Sequence, residues 1–250
     1  MVLLILGLYT ASVHVSSSLG IPMILAMAAM TMLSLFLKHI QAFHLGLLGT
    51  MNLACIFVPP LAAAWPLSAV GAVGIYIAVV SASPWLRQSS GWRGWNPPRR
   101  LNLALTGIVG LLGFAVIMGW VWLFRPDLSD QVATVPQTSP VPLILSVLAF
   151  AVLNSFAEEA VYRGVFMHAL EVTLGSPQTA LVLQALVFGL MHVRGFPSGL
   201  FGMITAGVVG LAFGYLRLRT RGILAPWLAH AIVNALMCVY LVVLAGRTAL

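Results

Sequence analysis

Apolar residues fill this chain in long runs, and polar residues interrupt them at intervals. Taking about 20 mostly apolar residues as the length that crosses a bilayer, the runs predict nine helices. They fall at about 1–18, 20–37, 45–64, 67–83, 103–124, 142–170, 178–192, 199–216 and 223–245. Several are short, a mismatch that snorkelling side chains or a locally thinned bilayer accommodate. The run at 1–18 is the weakest. It has no basic segment ahead of it and no clear small-x-small cleavage site, so it reads as a first span rather than a removed signal peptide. The expected fold is all-α: a polytopic transmembrane helix bundle with about 8–9 spans, because only structures that satisfy their own backbone cross lipid.

Composition reinforces this picture. Of the 250 residues, 61% are apolar and 7% charged, against roughly 25% charged in a soluble domain. Twelve Lys and Arg with five Asp and Glu cannot cover a soluble globule. A soluble enzyme, a disordered regulator and a nucleic-acid-binding domain are excluded; the lipid bilayer is the expected partner and no nucleic acid is. The net charge of +7 is explained by loop cations that orient the helices and face anionic headgroups. Cys55 and Cys238 sit inside apolar runs and read as packing residues. Neither CxxC nor HExxH occurs.

Two loops set the expected topology. Residues 84–102 carry Arg87, Arg93, Arg99 and Arg100, with Trp85, Trp92 and Trp95 as interface anchors. Residues 125–141 carry Arg125, Asp127, Asp130, Pro136 and Pro140, with Pro142 at the edge. Placing the first loop in the cytoplasm puts Lys38 and Arg217, Arg219 and Arg221 there by parity, and the 125–141 loop outside. The expected location is the cell membrane, as a multi-pass protein of a bacterial inner membrane. Glu158 would then lie about 24 Å below the start of its helix, in the cytoplasmic half, with substrate entering from the cytoplasmic side or laterally from that leaflet.

All five acids lie in 127–171. Residues 1–140 therefore read as N-terminal scaffold helices and 141–250 as the catalytic core, within one integral membrane domain. No internal repeat is present, and the oligomeric state is not legible.

An ionisable residue in a spanning helix costs several kcal/mol and marks a functional candidate. Three segments contain such residues: Asn154 to Gly164 with Glu158, Glu159 and Arg163; Phe188 to His192; and Trp227 to Asn234 with His230 and Asn234. Residues four apart share a helix face. Glu159 can therefore pair with Arg163, which by itself would be only a buried ion pair that fixes packing. Glu158 lies about 100° around the helix and lacks that partner. His230 and Asn234 project together, as do Phe188 and His192. His14, His39, His44 and His168 read as interfacial or satisfied, and Glu171 as a helix-end carboxylate. Ser155 lies roughly on the face of Glu158, so its position alone leaves it a candidate nucleophile.

Converging in one cavity, Glu158 and a neutral imidazole can polarise a water, burial making the carboxylate a better base. A second imidazole and an amide can donate to a developing oxyanion. That set is sufficient for peptide hydrolysis by direct water attack, without serine, cysteine or cofactor.

The pattern Glu158-Glu159-x-x-x-Arg163, Phe188-x-x-x-His192, His230-x-x-x-Asn234 resembles the three-motif signature of the CPBP family. That family comprises the CAAX prenyl endopeptidases and the bacteriocin-processing or self-immunity (Abi) proteins. The resemblance covers about 155–240; residues 1–140 carry no matching motif. It implies an all-α intramembrane endopeptidase in which Glu158 and His192 activate water and His230 and Asn234 stabilise the oxyanion. Glu159, Arg163 and Phe188 would support them. The family's long description as metal-dependent leaves open a zinc held by Glu158, His192 and His230, three ligands plus water being a catalytic zinc arrangement. The substrate partner would be a peptide or membrane protein, prenylated or not. Two other classes compete: a non-catalytic scaffold or immunity protein, and a proton-coupled transporter. The latter would show an inverted repeat or paired broken helices, and the sequence has neither.

Overall fold

The computed structural model describes residues 1–91 and 100–248. Among them there is no strand. The helices are α1 (Val2–Ala11), α2 (Gly20–Phe36), α3 (Ile40–Phe57), α4 (Pro59–Ala63), α5 (Leu67–Ala82), α6 (Pro84–Ser89), α7 (Arg100–Phe124), α8 (Ser129–Ala133), α9 (Pro140–Glu159), α10 (Met167–Leu174), α11 (Pro177–Met191), α12 (Gly199–Thr220) and α13 (Leu224–Thr248). Proline opens α4, α6, α9 and α11, where its missing N–H leaves no intrahelical bond unmade. Ser176 caps α11 by accepting from the Thr179 N–H at 3.2 Å, and Gly175, at φ +64°, ends α10 in the left-handed conformation.

Among the described residues, six helices are long and apolar enough to cross a membrane: Ser17–Phe36, Ile40–Phe57, Asn102–Phe124, Pro140–Leu174, Gly199–Thr220 and Leu224–Gly246. The sequence expectation was eight to nine. The difference lies in runs where apolar character outlasts the helix. The first run forms a short helix, Val2–His14, and the run at 67–83 forms Leu67–Ala82. The run at 178–192 forms α11, of 15 residues. The run at 45–64 breaks at Val58, ahead of Pro59. Conversely, Pro140–Leu174 has 35 residues. At 1.5 Å per residue it is about 52 Å long, well beyond the roughly 30 Å hydrocarbon core, so it must tilt or project.

The outward faces are apolar, with Leu111, Leu112, Ile144, Leu145, Leu200 and Ile204 exposed, as lipid solvent requires. One buried cluster joins α1, α3 and α5 to α10 and α11 through residues such as Ile5, Tyr9, Leu48, Tyr76 and Phe166. A second joins α7, α12 and α13 through Ile117, Trp120, Phe213 and Val233. Helices α11 and α12 approach closely at Gly189, where a Cβ would meet the Met203 carbonyl oxygen at 2.7 Å; only glycine fits there.

Hydrogen bonds define one end of the bundle. Gln41 donates to the Ser89 carbonyl at 2.9 Å, and His44 meets the Ser89 hydroxyl at 2.9 Å and the Tyr76 hydroxyl at 2.9 Å. His168 also contacts the Ser89 carbonyl, at 3.3 Å. Arg217 pairs with Glu171, and Arg219 donates to Asn102 at 3.2 Å. His44 and His168 are thus members of a polar cluster rather than isolated interfacial groups, and Glu171 is one half of an ion pair. The cations assigned by parity to a common side, among them Lys38, Arg87, Arg217 and Arg219, lie at this one end. Trp92, Arg93, Trp95, Arg99 and the Arg100 side chain fall outside the described residues.

Candidate active site

Helix α9 delivers the first motif. Its α-helical pattern gives way directly after Glu159 to a π-helical turn, Ala160–Phe166, a widening of the helix that recurs at functional sites. Glu159 and Arg163 are fully buried and pair at 2.8 Å. The Arg163 guanidinium also donates to the Gly210 carbonyl of α12 at 3.1 Å, and Gln184 donates to the same oxygen at 3.0 Å. The guanidinium carbon stands 4.4 Å from the centre of the Phe188 ring and 5.4 Å from that of Phe213, a cation–π stack that adds to the charge pairing.

Glu158 faces elsewhere. Its Oε1 accepts from the Asn154 amide at 2.9 Å, and Asn154 Oδ1 accepts from the Trp65 indole at 2.7 Å. Glu158 Oε2 has no hydrogen-bond partner and lies 3.8 Å from His230 Nε2. On its other side, His230 Nδ1 meets Glu159 Oε1 at 2.9 Å. With His230 neutral, the group of Arg163, Glu159, His230 and Glu158 carries one excess negative charge. With His230 protonated on both nitrogens, it balances.

His192 ends α11. Its Nδ1 lies 2.7 Å from the Phe188 carbonyl oxygen. A carbonyl only accepts, so Nδ1 carries the hydrogen, and in the neutral ring Nε2 is left as an acceptor. The Phe188 ring packs 4.5 Å from His192 and 6.2 Å from His230, centroid to centroid, so it spaces the two imidazoles. Asn234 Nδ2 is buried and unpartnered.

Glu158, His192, His230 and Asn234 all line one cavity of about 1010 Å³. Pockets for small ligands run from about 300 to 1,000 Å³, so this one is large. Its walls are mostly apolar, with Ile117, Val147, Phe196, Val233 and Met237 among them. The structure thus brings together all four residues that the sequence nominated. It keeps Glu159 and Arg163 behind them, outside the cavity wall.

Ser155 is not at this cavity: fully buried, it donates to the Ala151 carbonyl at 2.6 Å, which removes it as a candidate nucleophile. Cys55 and Cys238 are free thiols within the packed helices and both line the cavity. The sequence analysis missed Asn154, Trp65 and Gly210. Asn154 stands four residues before Glu158, a helical spacing that could have revealed it. Trp65 and Gly210 reach the site from other helices and left no local signal.

The three candidate zinc ligands, Glu158, His192 and His230, line the same cavity. Among the described residues no three His, Cys, Asp or Glu side chains are grouped to hold a metal. His230 Nδ1 and His192 Nδ1 are engaged by Glu159 and the Phe188 carbonyl, so a metal would have to use the two Nε2 atoms and the unpartnered Glu158 Oε2.

The cavity also has a direction along the bundle. At one extremity it is lined by Asp130, Thr134, Pro136 and Ser146, all exposed. These belong to the loop and helix start opposite the basic end. Beyond Glu158 toward the basic end, Arg163, Phe166, Met167 and Leu170 are fully buried. The cavity therefore extends from Glu158 toward the 125–139 end, and the space toward the basic end is filled by the π-helical turn and the side chains packed on it.

Residues 140–236 match a family model described as type II CAAX prenyl endopeptidase Rce1-like. No curated protein and no solved structure matches the chain. The matched stretch is less than half of the chain and contains all three motifs; it supports a CAAX-protease-like intramembrane peptidase. Over residues 140–236, then, the chain carries the Rce1-like, CPBP-family signature of the type II CAAX prenyl endopeptidases.

Proposed function

We propose that this protein is an intramembrane endopeptidase that hydrolyses a peptide bond with water activated by Glu158 and His192. The observation that carries the proposal is the coexistence, on one cavity wall, of an unpartnered carboxylate oxygen (Glu158 Oε2), an imidazole with a free acceptor nitrogen (His192 Nε2) and an unpartnered amide donor (Asn234 Nδ2).

In this reading a water held between Glu158 Oε2 and His192 Nε2 gives its proton to Glu158 as its oxygen attacks the carbonyl carbon. The oxyanion that forms takes hydrogen bonds from Asn234 and from Nε2–H of doubly protonated His230, whose Nδ1–H is held by Glu159. Such donors, fixed in advance in a dry site, are each worth roughly 2.7–4 kcal/mol of barrier. Glu158 then passes the proton to the leaving amine as the C–N bond breaks. Residues 141–250 act as the catalytic core. Residues 1–140 act as a scaffold that also supplies cavity wall through Tyr9, Asn52 and Trp65. The substrate is a peptide or membrane protein, and the protein works as a multi-pass protein of a cell membrane, which we take to be a bacterial inner membrane.

The test is proteolysis of a membrane-tethered peptide library by the purified protein in detergent, comparing wild type with Glu158→Ala by mass spectrometry. Cleavage that depends on Glu158 supports the proposal. Identical product patterns from the two proteins, or none from either, overturn it.

A further inference from the structure

The basic end of the bundle and the open end of its cavity are opposite ends. Among the described residues, Lys38, Arg87, Arg217, Arg219 and Arg221 lie at the end where Ser89, Glu171 and Asn102 make their contacts. Glu171 is the acid among them. At the other end, Arg125 and Arg194 are matched by Asp127 and Asp130. The excess of Lys and Arg orients a polytopic protein with its basic loops in the cytoplasm. The 125–139 end, where the cavity opens, then faces away from the cytoplasm.

Depth follows from helix geometry. One face of α9 lines the cavity from Ser146 and Val147 through Phe150 and Asn154 to Glu158. Twelve residues at 1.5 Å each put the carboxylate about 18 Å from Ser146. An extended chain advances about 3.4 Å per residue, so about five residues separate the mouth from a peptide bond at Glu158. The walls along that path are mostly apolar, its acids Asp130 and Glu158 lying at the two ends, and a charged segment between them would lose its hydration.

We propose that the substrate is an apolar, uncharged peptide segment offered from the non-cytoplasmic side and threaded in extended form, with the scissile bond about five or more residues inside the mouth. This rests on the protease reading and adds to it the side of access, the substrate class and a minimum length.

The experiment uses the whole chain. A peptide that the purified protein cuts in detergent is given a membrane-impermeant tag and added to sealed vesicles of both orientations. Labelling of Lys38→Cys by an impermeant thiol reagent, read above the blank set by the wild-type protein, reports which vesicles expose the basic end. The expected result is cleavage where the basic end is sealed inside and loss of cleavage where it faces out. Shortening the apolar segment below the threading length abolishes cleavage. Cleavage only, or equally, from the basic face overturns the proposal while leaving the protease intact. Cleavage in detergent but in neither vesicle type overturns the threaded route in favour of sideways access from lipid. A basic end that labels on the outer side of cells overturns the orientation. Absence of any cleavage in detergent defeats the protease reading itself, and this proposal with it.

Discussion

Asn154 donates a hydrogen bond of 2.9 Å to Glu158 from one turn earlier on the same helix, and is itself held by the Trp65 indole at 2.7 Å. One carboxylate oxygen is thereby anchored and the other left free toward the cavity. Asn154→Leu removes the anchor while keeping the branching of the side chain. We expect kcat to fall by about tenfold to a hundredfold, part of the roughly 10²–10⁴ that a positioned base contributes, with KM nearly unchanged. Trp65→Phe, which removes only the indole N–H, should give a smaller loss of the same kind. A rise in KM at constant kcat in both variants would assign the pair to substrate binding instead.

Glu158→Gln and Glu159→Gln should separate. The first keeps shape but accepts no proton, so turnover should drop by at least about 10²-fold while thermal stability in detergent is retained. The second leaves fully buried Arg163 without its carboxylate. Breaking a buried pair from one side costs roughly 3–5 kcal/mol, so the expected outcome is poor yield and early unfolding. Wild-type turnover by Glu158→Gln would remove it from the mechanism.

Activity should survive a strong chelator, and metal analysis of active protein should find no stoichiometric zinc. The expectation follows from the proposed activation of water by the carboxylate of Glu158 and the imidazole of His192, which needs no metal. Zinc that leaves and returns together with activity would reverse it.

Gly210→Val tests the packing behind the site. A Cβ at Gly210 would stand 3.0 Å from the Phe188 ring and 3.4 Å from the Arg163 guanidinium. Overpacking of this kind costs about 1–3 kcal/mol. The melting temperature should fall, and activity should fall with it because Phe188 spaces the two histidines. A variant as stable and active as wild type would show that this contact is slack.

Much of this was legible in the residues themselves. Apolar runs determine helices because lipid leaves no other backbone arrangement satisfied. Helical spacing alone paired Glu159 with Arg163 and set Glu158 apart, because residues four apart stack on one face. Period and composition do not say where a helix stops within an apolar run, and so Val58 and the turns after Ala11 were read through. Nor do they carry depth or direction. Loop charge identified the two ends, and the depth of Glu158 along its helix suggested access from the basic side or laterally from that leaflet, because a sequence does not show which end of a cavity is filled. That was decided by tertiary packing. Phe166, Met167 and Leu170 fill the space beyond Glu158, while Asp130, Thr134 and Ser146 stand apart around a mouth. Likewise, the partner of a buried polar atom can lie anywhere in the chain. Trp65 meets Asn154 and Gly210 meets Arg163 only because helices distant in sequence pack together.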